Sequence, residues 1–427
     1  MSAPPERSQA MVWWICFLLL LASTINYMDR QTLSNTSERI TREFKLTEAG
    51  YGSLEMAFGL AFATGATLFG IIADRTNVKW LYPIVLLLWS TMGFATGLVT
   101  TFSGLLACRL LLGLFEAGHW PCALKTTQRL LPSSKRTLGN SVLQSGTAIG
   151  AMVTPLIIRS LVVDDRPGSW RPAFQIVGAI GVVWAILWLI SLWNQDLQAT
   201  SADQRSDAAS DAASPQSFLN VVCSRKFIAL VIMVIAINLC WHQFRVWMQK
   251  FLIRGRGYSE LESLDLNFWF NVMTDVGCIS AGFATAWLCR RGLTAHKSRL
   301  TIFGVCSLLV ASGGLIPLLP KGPALVAVLM IVGVGSLGLF PCYYTFTQEL
   351  SVAHQGKVSG TLGTIAWIFP SLWHWRFGHF VDQTPDVGKG LAYAYGMSTV
   401  CWMPLLALLA LIVIWPREPS PAVVSPD

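Results

Sequence analysis

The feature that most constrains this chain is a series of apolar runs, each about 20 residues long, that recurs along nearly its whole length. An α-helix rises about 1.5 Å per residue, so a run of this length crosses the roughly 30 Å hydrocarbon core of a bilayer. Twelve runs lie near positions 12–34, 50–73, 81–100, 103–127, 138–161, 172–193, 226–252, 266–289, 299–319, 323–346, 356–380 and 391–415. The sequence therefore predicts an all-α membrane protein with twelve transmembrane helices.

The composition argues against a soluble enzyme and against a nucleic-acid partner. Of 427 residues, 53% are hydrophobic and 13% charged, whereas a soluble domain carries about 25% charged residues. The formal charge of +8 comes from Lys and Arg scattered among short loops rather than gathered in one stripe. Most of the ten cysteines lie within apolar runs, which makes them core residues rather than a disulfide framework. We expect no enzyme activity, no cofactor, no metal site and a monomer.

A polar stretch divides the runs into two sets of six. It begins at residue 194, is rich in Asp, Ala, Ser and Gln, and has the composition of a flexible linker. We predict a six-helix half at 1–193, a cytoplasmic linker at 194–220 and a second six-helix half at 221–427. A basic turn follows the second run of each half, which is the weak internal symmetry typical of transporter folds.

The distribution of basic residues in the loops predicts the orientation. One side of the bundle carries most of them, and the loop between the third and fourth runs on the other side has none. The basic loops hold Arg75, Lys79, Lys135, Arg136, Arg290, Arg291, Lys297 and Arg299. We therefore place both termini in the cytoplasm and the protein in the cell (inner) membrane.

Charged residues inside two runs mark a candidate site. From Val12 the first run reaches only Tyr27, too few residues to cross a bilayer, so Asp29 and Arg30 lie within the membrane. An ionisable residue at that depth is costly and is by default a functional candidate. The competing interpretation is that Asp29 and Arg30 form an ion pair at the helix end, with their side chains reaching toward the membrane interface.

The fourth run makes the same argument with Arg109, Glu116 and His119. Residues 109 and 116 are two turns apart, about 10 Å in height, which is long for a direct ion pair. Arg30 and Arg109 fall at similar depth, so we expect both to face one cavity. Paired guanidinium groups match a carboxylate or a phosphate.

The second half adds charges with several interpretations. Arg245 either meets a second acidic or polar end of the substrate, pairs with Asp275, or extends toward the interface together with Lys250. The histidines His374 and His379 have the wrong spacing for a metal site and are expected at the interface. An isolated acid in the second run, Glu55, is expected within reach of the outer interface, and the alternative is a second proton site. We assign no role to His119 or His242.

Four segments resemble the anion:cation symporter family of the major facilitator superfamily. They are NYMDR at 26–30, GIIADR at 70–75, RLLLGLFEAGHWPCA at 109–123, and WHQFRVWMQKFLIRGRGYS at 241–259, which leads to CRRG at 289–292. The family includes bacterial hexuronate, galactonate and glucarate transporters. The resemblance implies the twelve-helix major facilitator fold and alternating access.

By the same resemblance, particular residues take particular roles. Substrate binding falls to Arg30 and Arg109, and proton coupling to Asp29 and Glu116. Further lining residues are Tyr27, Gln144 and Thr147, and the cytoplasmic gating motif holds Asp74 and Arg75.

Two positions depart from the pattern of sugar-acid carriers. Phe62 stands where a tyrosine is expected, and Trp367 where an asparagine often lines the cavity. These changes remove donors that would bind sugar hydroxyl groups. The resemblance therefore implies proton-coupled symport of a small organic anion, a sugar acid or a related carboxylate. Alternatives are an organophosphate or phosphate antiporter, a sodium-coupled carboxylate carrier, and a carrier-derived membrane sensor.

Overall fold

A computed structural model describes residues 9–131, 133–161, 166–193, 218–350 and 355–415, and within these ranges the regular structure is helical throughout. The two predicted halves are used here as names for the chain before and after the predicted linker. The first half then contains α1 Gln9–Asn35, α2 Ser37–Glu43, α3 Glu48–Arg75, α4 Val78–Thr96, α5 Phe102–Glu116, α6 His119–Leu130, α7 Ser133–Leu161 and α8 Arg171–Ser191. The second contains α9 Phe218–Val222, α10 Arg225–Lys250, α11 Glu260–Arg290, α12 Ala295–Ala311, α13 Pro323–Leu350, α14 Gln355–Gln383, α15 Lys389–Cys401 and α16 Met403–Val413. Most of the predicted linker lies outside the described residues.

Side-chain caps fix where several helices begin. The hydroxyls of Thr47, Thr101 and Ser224 accept hydrogen bonds from backbone N–H groups in the first turns of α3, α5 and α10. At the start of α11, Ser259 and Glu262 form a reciprocal capping box. These bonds satisfy N–H groups that have no partner within the helix, so each hydroxyl marks a helix start.

The fourth predicted run is divided into two helices. α5 ends at Glu116 and α6 begins at His119, with Pro121 in its first turn, where the missing N–H of proline costs little. This break leaves Glu116 and His119 on separate helices. The seventh run continues beyond α10 as a π-helical turn at Phe251–Gly255.

Ten helical segments within the described ranges are long and apolar enough to cross a membrane. The other two predicted runs correspond to α5 with α6, each short because of the break, and to α14, which has 29 residues. The predicted all-helical membrane fold is confirmed, whereas the count of twelve spans remains a prediction.

Close helix packing joins the two halves. α3 lies along α14, while within the halves α1 lies along α7 and α11 along α13. At the first of these contacts, a Cβ at Gly52 would collide with the backbone of His374, and one at Gly378 with the backbone of Glu48. Only glycine permits so close an approach at these two positions.

Candidate functional site

Three arginines lie in the interior where helices of both halves meet. Arg30 on α1, Arg109 on α5 and Arg245 on α10 are 4%, 0% and 7% exposed. Together with Glu55 and Glu116 they form what we call the buried charge cluster. Because a buried charge is stable only when paired, the partners of each arginine determine what the cluster does.

Arg30 pairs with Glu116, which joins α1 to the end of α5. Glu116 is fully buried. The expectation that Arg109 and Glu116 are too far apart to pair directly agrees with this arrangement. Each of the two arginines, Arg30 and Arg109, has a carboxylate partner of its own.

Glu55 binds the other two arginines. Its Oε2 accepts a hydrogen bond of 2.8 Å from Arg245 Nη2, and its Oε1 one of 3.3 Å from Arg109 Nη2. Glu55 is 2% exposed, so the prediction that it lies near the interface was wrong. The proposed pair of Arg245 with Asp275 was also wrong, since the partner of Arg245 is Glu55 on α3. The ion pair of Glu55 with Arg245 therefore connects the two halves.

The cluster retains unused donors. Within the described part of the chain, five guanidinium nitrogens are buried with no hydrogen-bond partner: Arg30 Nη2, Arg109 Nε and Nη1, and Arg245 Nε and Nη1. Buried donors are normally satisfied, and an unsatisfied one carries a desolvation cost of about 1–3 kcal/mol. The carboxylates of the cluster therefore leave these five donors without a hydrogen bond.

Four aromatic rings surround the guanidinium of Arg30. Its Cζ lies 4.7 Å from the ring centre of Phe62, 5.1 Å from Trp367, 5.2 Å from Tyr27 and 5.7 Å from Phe58. These distances lie within the range of cation–π attraction. The predicted lining residue Tyr27 thus lies beside Arg30, and the two departures from the sugar-acid pattern, Phe62 and Trp367, meet at the same group.

The Asp29 side chain points away from the four aromatic rings around Arg30. It is 1% exposed and faces α4, where a Cβ at Gly93 would lie 2.7 Å from its Oδ1. The charge of Asp29 is close enough to interact with Arg30 and Arg109, and its carboxylate lies beside Trp89, yet neither oxygen accepts a hydrogen bond of normal geometry from the described residues. The structure therefore places a buried acid without a direct ion pair next to the cluster.

The histidines differ in how deeply they are buried in the protein. His119 is bound by the hydroxyls of Ser23 at 3.0 Å and Tyr82 at 2.8 Å. The ring of His374 is 2% exposed and accepts a hydrogen bond from the Trp247 indole. The prediction that His374 is interfacial was therefore wrong, whereas His379 is half-buried.

His242 and the two predicted lining residues on α7, Gln144 and Thr147, lie in different surroundings. His242 packs edge-on against Trp367 with ring centres 4.6 Å apart. On α7, the Thr147 hydroxyl donates to the backbone oxygen of Gln144, and the Gln144 side chain is exposed. Among the described residues, no hydrogen bond or ion pair links Gln144 or Thr147 to Arg30.

The residues of the predicted gating motif lie at the end of α3. Asp74, near the end of α3, pairs with Lys125 on α6. Arg75 is exposed at the last position of α3. The gating role of Asp74 and Arg75 stays a prediction.

Sequence reasoning missed a second set of ion pairs, at the end of the bundle that holds α2, which we call the α2 end. Glu48 binds the fully buried Lys250 at 2.9 Å and Arg254 at 2.5 Å. Arg39 binds Glu260 at 2.7 Å. The expectation that Lys250 extends toward the interface was wrong, and these pairs join the two halves.

Two further contacts reinforce the α2 end. The carboxylate of Asp382 accepts hydrogen bonds from the backbone N–H groups of Glu48 and Ala49, at the start of α3. Burial acts to raise the pKa of Glu38, but hydrogen bonds from Arg254 hold it below its usual value. The Asp382 carboxylate thus lies at the N-terminus of α3, where the helix dipole stabilises a negative charge.

Comparison with known proteins identifies relatives that match nearly the whole chain. The model of the family described as Major Facilitator Superfamily matches residues 19–373. The hexuronate transporter of Escherichia coli K12 is 23% identical over 429 residues, covering 96% of this chain and 94% of that protein. The probable galactarate/D-glucarate transporter of Bacillus subtilis is 24% identical over 438 residues, covering 95% and 93%.

The fold comparison agrees with the family match. A bacterial homologue of the human lysosomal transporter Spinster, in an inward-facing and occupied conformation, superposes with a TM-score of 0.77 at 17% identity. The match covers 96% of this chain and 97% of that one. At this identity the likeness concerns the fold alone.

Proposed function

Since the chain belongs to the Major Facilitator Superfamily, we propose that it is a secondary active transporter that carries a small organic carboxylate across the bacterial inner membrane. The five unpartnered guanidinium nitrogens of the buried charge cluster carry this proposal. A carboxylate accepts paired N–H donors in the guanidinium plane, so it would satisfy these groups. The relatives named as carriers of hexuronate and of galactarate and D-glucarate support the anion class.

In this proposal twelve spans form two halves, at 1–193 and 221–427, joined by a cytoplasmic linker at 194–220. With both termini in the cytoplasm, the α2 end faces outward. The ion pairs that join the halves there support an outward-closed state. Alternating access would require these pairs to break as the halves rock about the buried charge cluster.

A charge count supports proton symport. Arg30, Arg109 and Arg245 contribute three positive charges, and Glu55, Glu116 and Asp29 contribute three negative charges when ionised. A monoanion entering this neutral group leaves one buried negative charge uncompensated. A proton on Asp29 or Glu116 restores neutrality, and this avoids the cost of an unpaired charge.

Arginine-to-lysine variants test whether the cluster binds the substrate. Lysine keeps the charge but loses the planar pair of donors, so Arg30→Lys and Arg109→Lys should weaken carboxylate binding by about 10-fold or more. Calorimetric titration of the purified protein measures this. The exposed Arg291, replaced by lysine, is the matched control. Unchanged affinity in folded Arg30 and Arg109 variants would contradict the proposal.

A further inference from the structure

We propose that the carboxylate bound here has a flat, largely apolar body, as in an aromatic carboxylic acid, rather than a polyhydroxylated chain. The inference deepens the proposed function and rests on it, because it takes Arg30 as a partner of the carboxylate. It concerns what lies next to that carboxylate, which the ion pairs alone do not specify.

The surroundings of Arg30 are aromatic on several sides. Phe62 and Trp367 have ring centres 4.4 Å apart, and Phe58 contacts both rings, at 6.0 and 5.8 Å. Among the four rings around the guanidinium, that of Tyr27 alone carries a hydroxyl. A substrate whose carboxylate reaches Arg30 therefore places its adjacent atoms against ring carbon.

The rings come from both halves of the molecule. Phe58 and Phe62 belong to α3, whereas Trp367 belongs to α14 and also packs against His242 of α10. Trp367 is half-buried, and its ring centre lies 5.1 Å from Arg30 Cζ. A planar ligand stacked on Trp367 would contact both halves at once.

The physical preference follows from the hydroxyl groups of the ligand. A hydroxyl placed against ring carbon loses its bonds to water and gains no partner, and apolar pockets discriminate against an added hydroxyl by about 100-fold. A planar aromatic body loses nothing by the same transfer and gains offset or edge-on ring contacts. Several hydroxyls in one sugar acid multiply the penalty.

The test compares benzoate with D-glucuronate by calorimetric titration of the purified full-length protein. Benzoate should bind at least about 10-fold more tightly, given the cost of each unpartnered hydroxyl. Benzamide, which has the same shape without the charge, should bind far more weakly if the carboxylate meets Arg30. These measurements need only the wild-type protein, so they do not depend on the folding of a variant.

Substitution of the ring tests its role. Trp367→Asn should lower the ratio of benzoate affinity to D-glucuronate affinity by about 10-fold or more. The matched control is Trp375→Asn on the same helix, since Trp375 is 40% exposed and packs on His379. The control should leave the ratio unchanged.

The outcomes separate this inference from the proposed function. If D-glucuronate binds as tightly as benzoate or more tightly, and Arg30→Lys still weakens its binding by about 10-fold or more, the inference falls while the carboxylate carrier stands. An unchanged ratio in folded Trp367→Asn also overturns the inference. If neither acid binds the wild-type protein, both fall.

Discussion

Glu55 is the carboxylate on which two arginines of different helices depend. It accepts hydrogen bonds from Arg109 on α5 and Arg245 on α10 and is almost fully buried. Removing one partner of a buried ion pair leaves an uncompensated charge, which is more costly than removing both. Glu55 therefore holds the cluster together, in addition to any part it takes in transport.

Glu55→Gln should lower the free energy of unfolding by about 3–5 kcal/mol, because two buried arginines lose their carboxylate. Adding Arg245→Gln should restore part of this loss, and a double-mutant cycle of thermal unfolding in detergent measures the coupling. Asp275→Asn is the control, since this acid is half-buried and does not pair with Arg245. Additive losses at Glu55 and Arg245 would contradict the pairing.

Glu116 is the paired acid that we propose carries a proton. Glu116→Gln mimics the protonated form, so it should keep substrate exchange between the two sides while losing accumulation driven by a pH gradient. Counterflow and gradient-driven uptake in proteoliposomes measure the two activities. A variant that still concentrates substrate like the wild type would move coupling to Asp29 or Glu55.

Among the helices, α2 and the start of α11 are joined by a link that, in the proposed cycle, breaks when the α2 end opens. Arg39 on α2 binds Glu260 on α11 through several hydrogen bonds, at 2.7 to 3.0 Å. Arg171 binds Glu43 at 2.6 Å at the same end, but both residues belong to the first half. The Arg39–Glu260 pair joins the two halves, whereas the Arg171–Glu43 pair lies within one of them.

Arg39→Glu should shift the population toward opening of the α2 end, because it replaces an attraction between the halves with a repulsion. Adding Glu260→Arg should reverse the shift. Distances between spin labels placed on α2 and α11 report the populations. Arg171→Glu, the control within one half, should not lengthen these distances, and an equal effect of both single variants would contradict the assignment.

The existence of the helices was predictable, whereas their lateral partners were not. Apolar length indicates which residues form long helices, and the short first run predicted Asp29 and Arg30 away from the helix end, where both are buried in the protein. Which acid meets which arginine depends on how helices rotate and pack. Glu55 and His374 look isolated in the sequence for this reason, and the structure pairs each with a residue far along the chain.

At the scale of the whole molecule, the buried charge cluster is neutral once ionised Asp29 is counted with it, and ion pairs close the α2 end. In the proposed cycle, one proton accompanies each monoanion and keeps these six side chains neutral overall. The transport step would then move no net charge across the membrane. A pH gradient would drive it, and the membrane potential would not.

The most direct test is uptake of a labelled carboxylate by proteoliposomes that contain the wild-type protein, with the outside more acidic. The account predicts accumulation above the external concentration. A protonophore should abolish it, and holding the membrane potential at zero should leave it unchanged. Equal uptake with and without the pH gradient, or accumulation that requires a sodium gradient instead, would contradict proton-coupled symport.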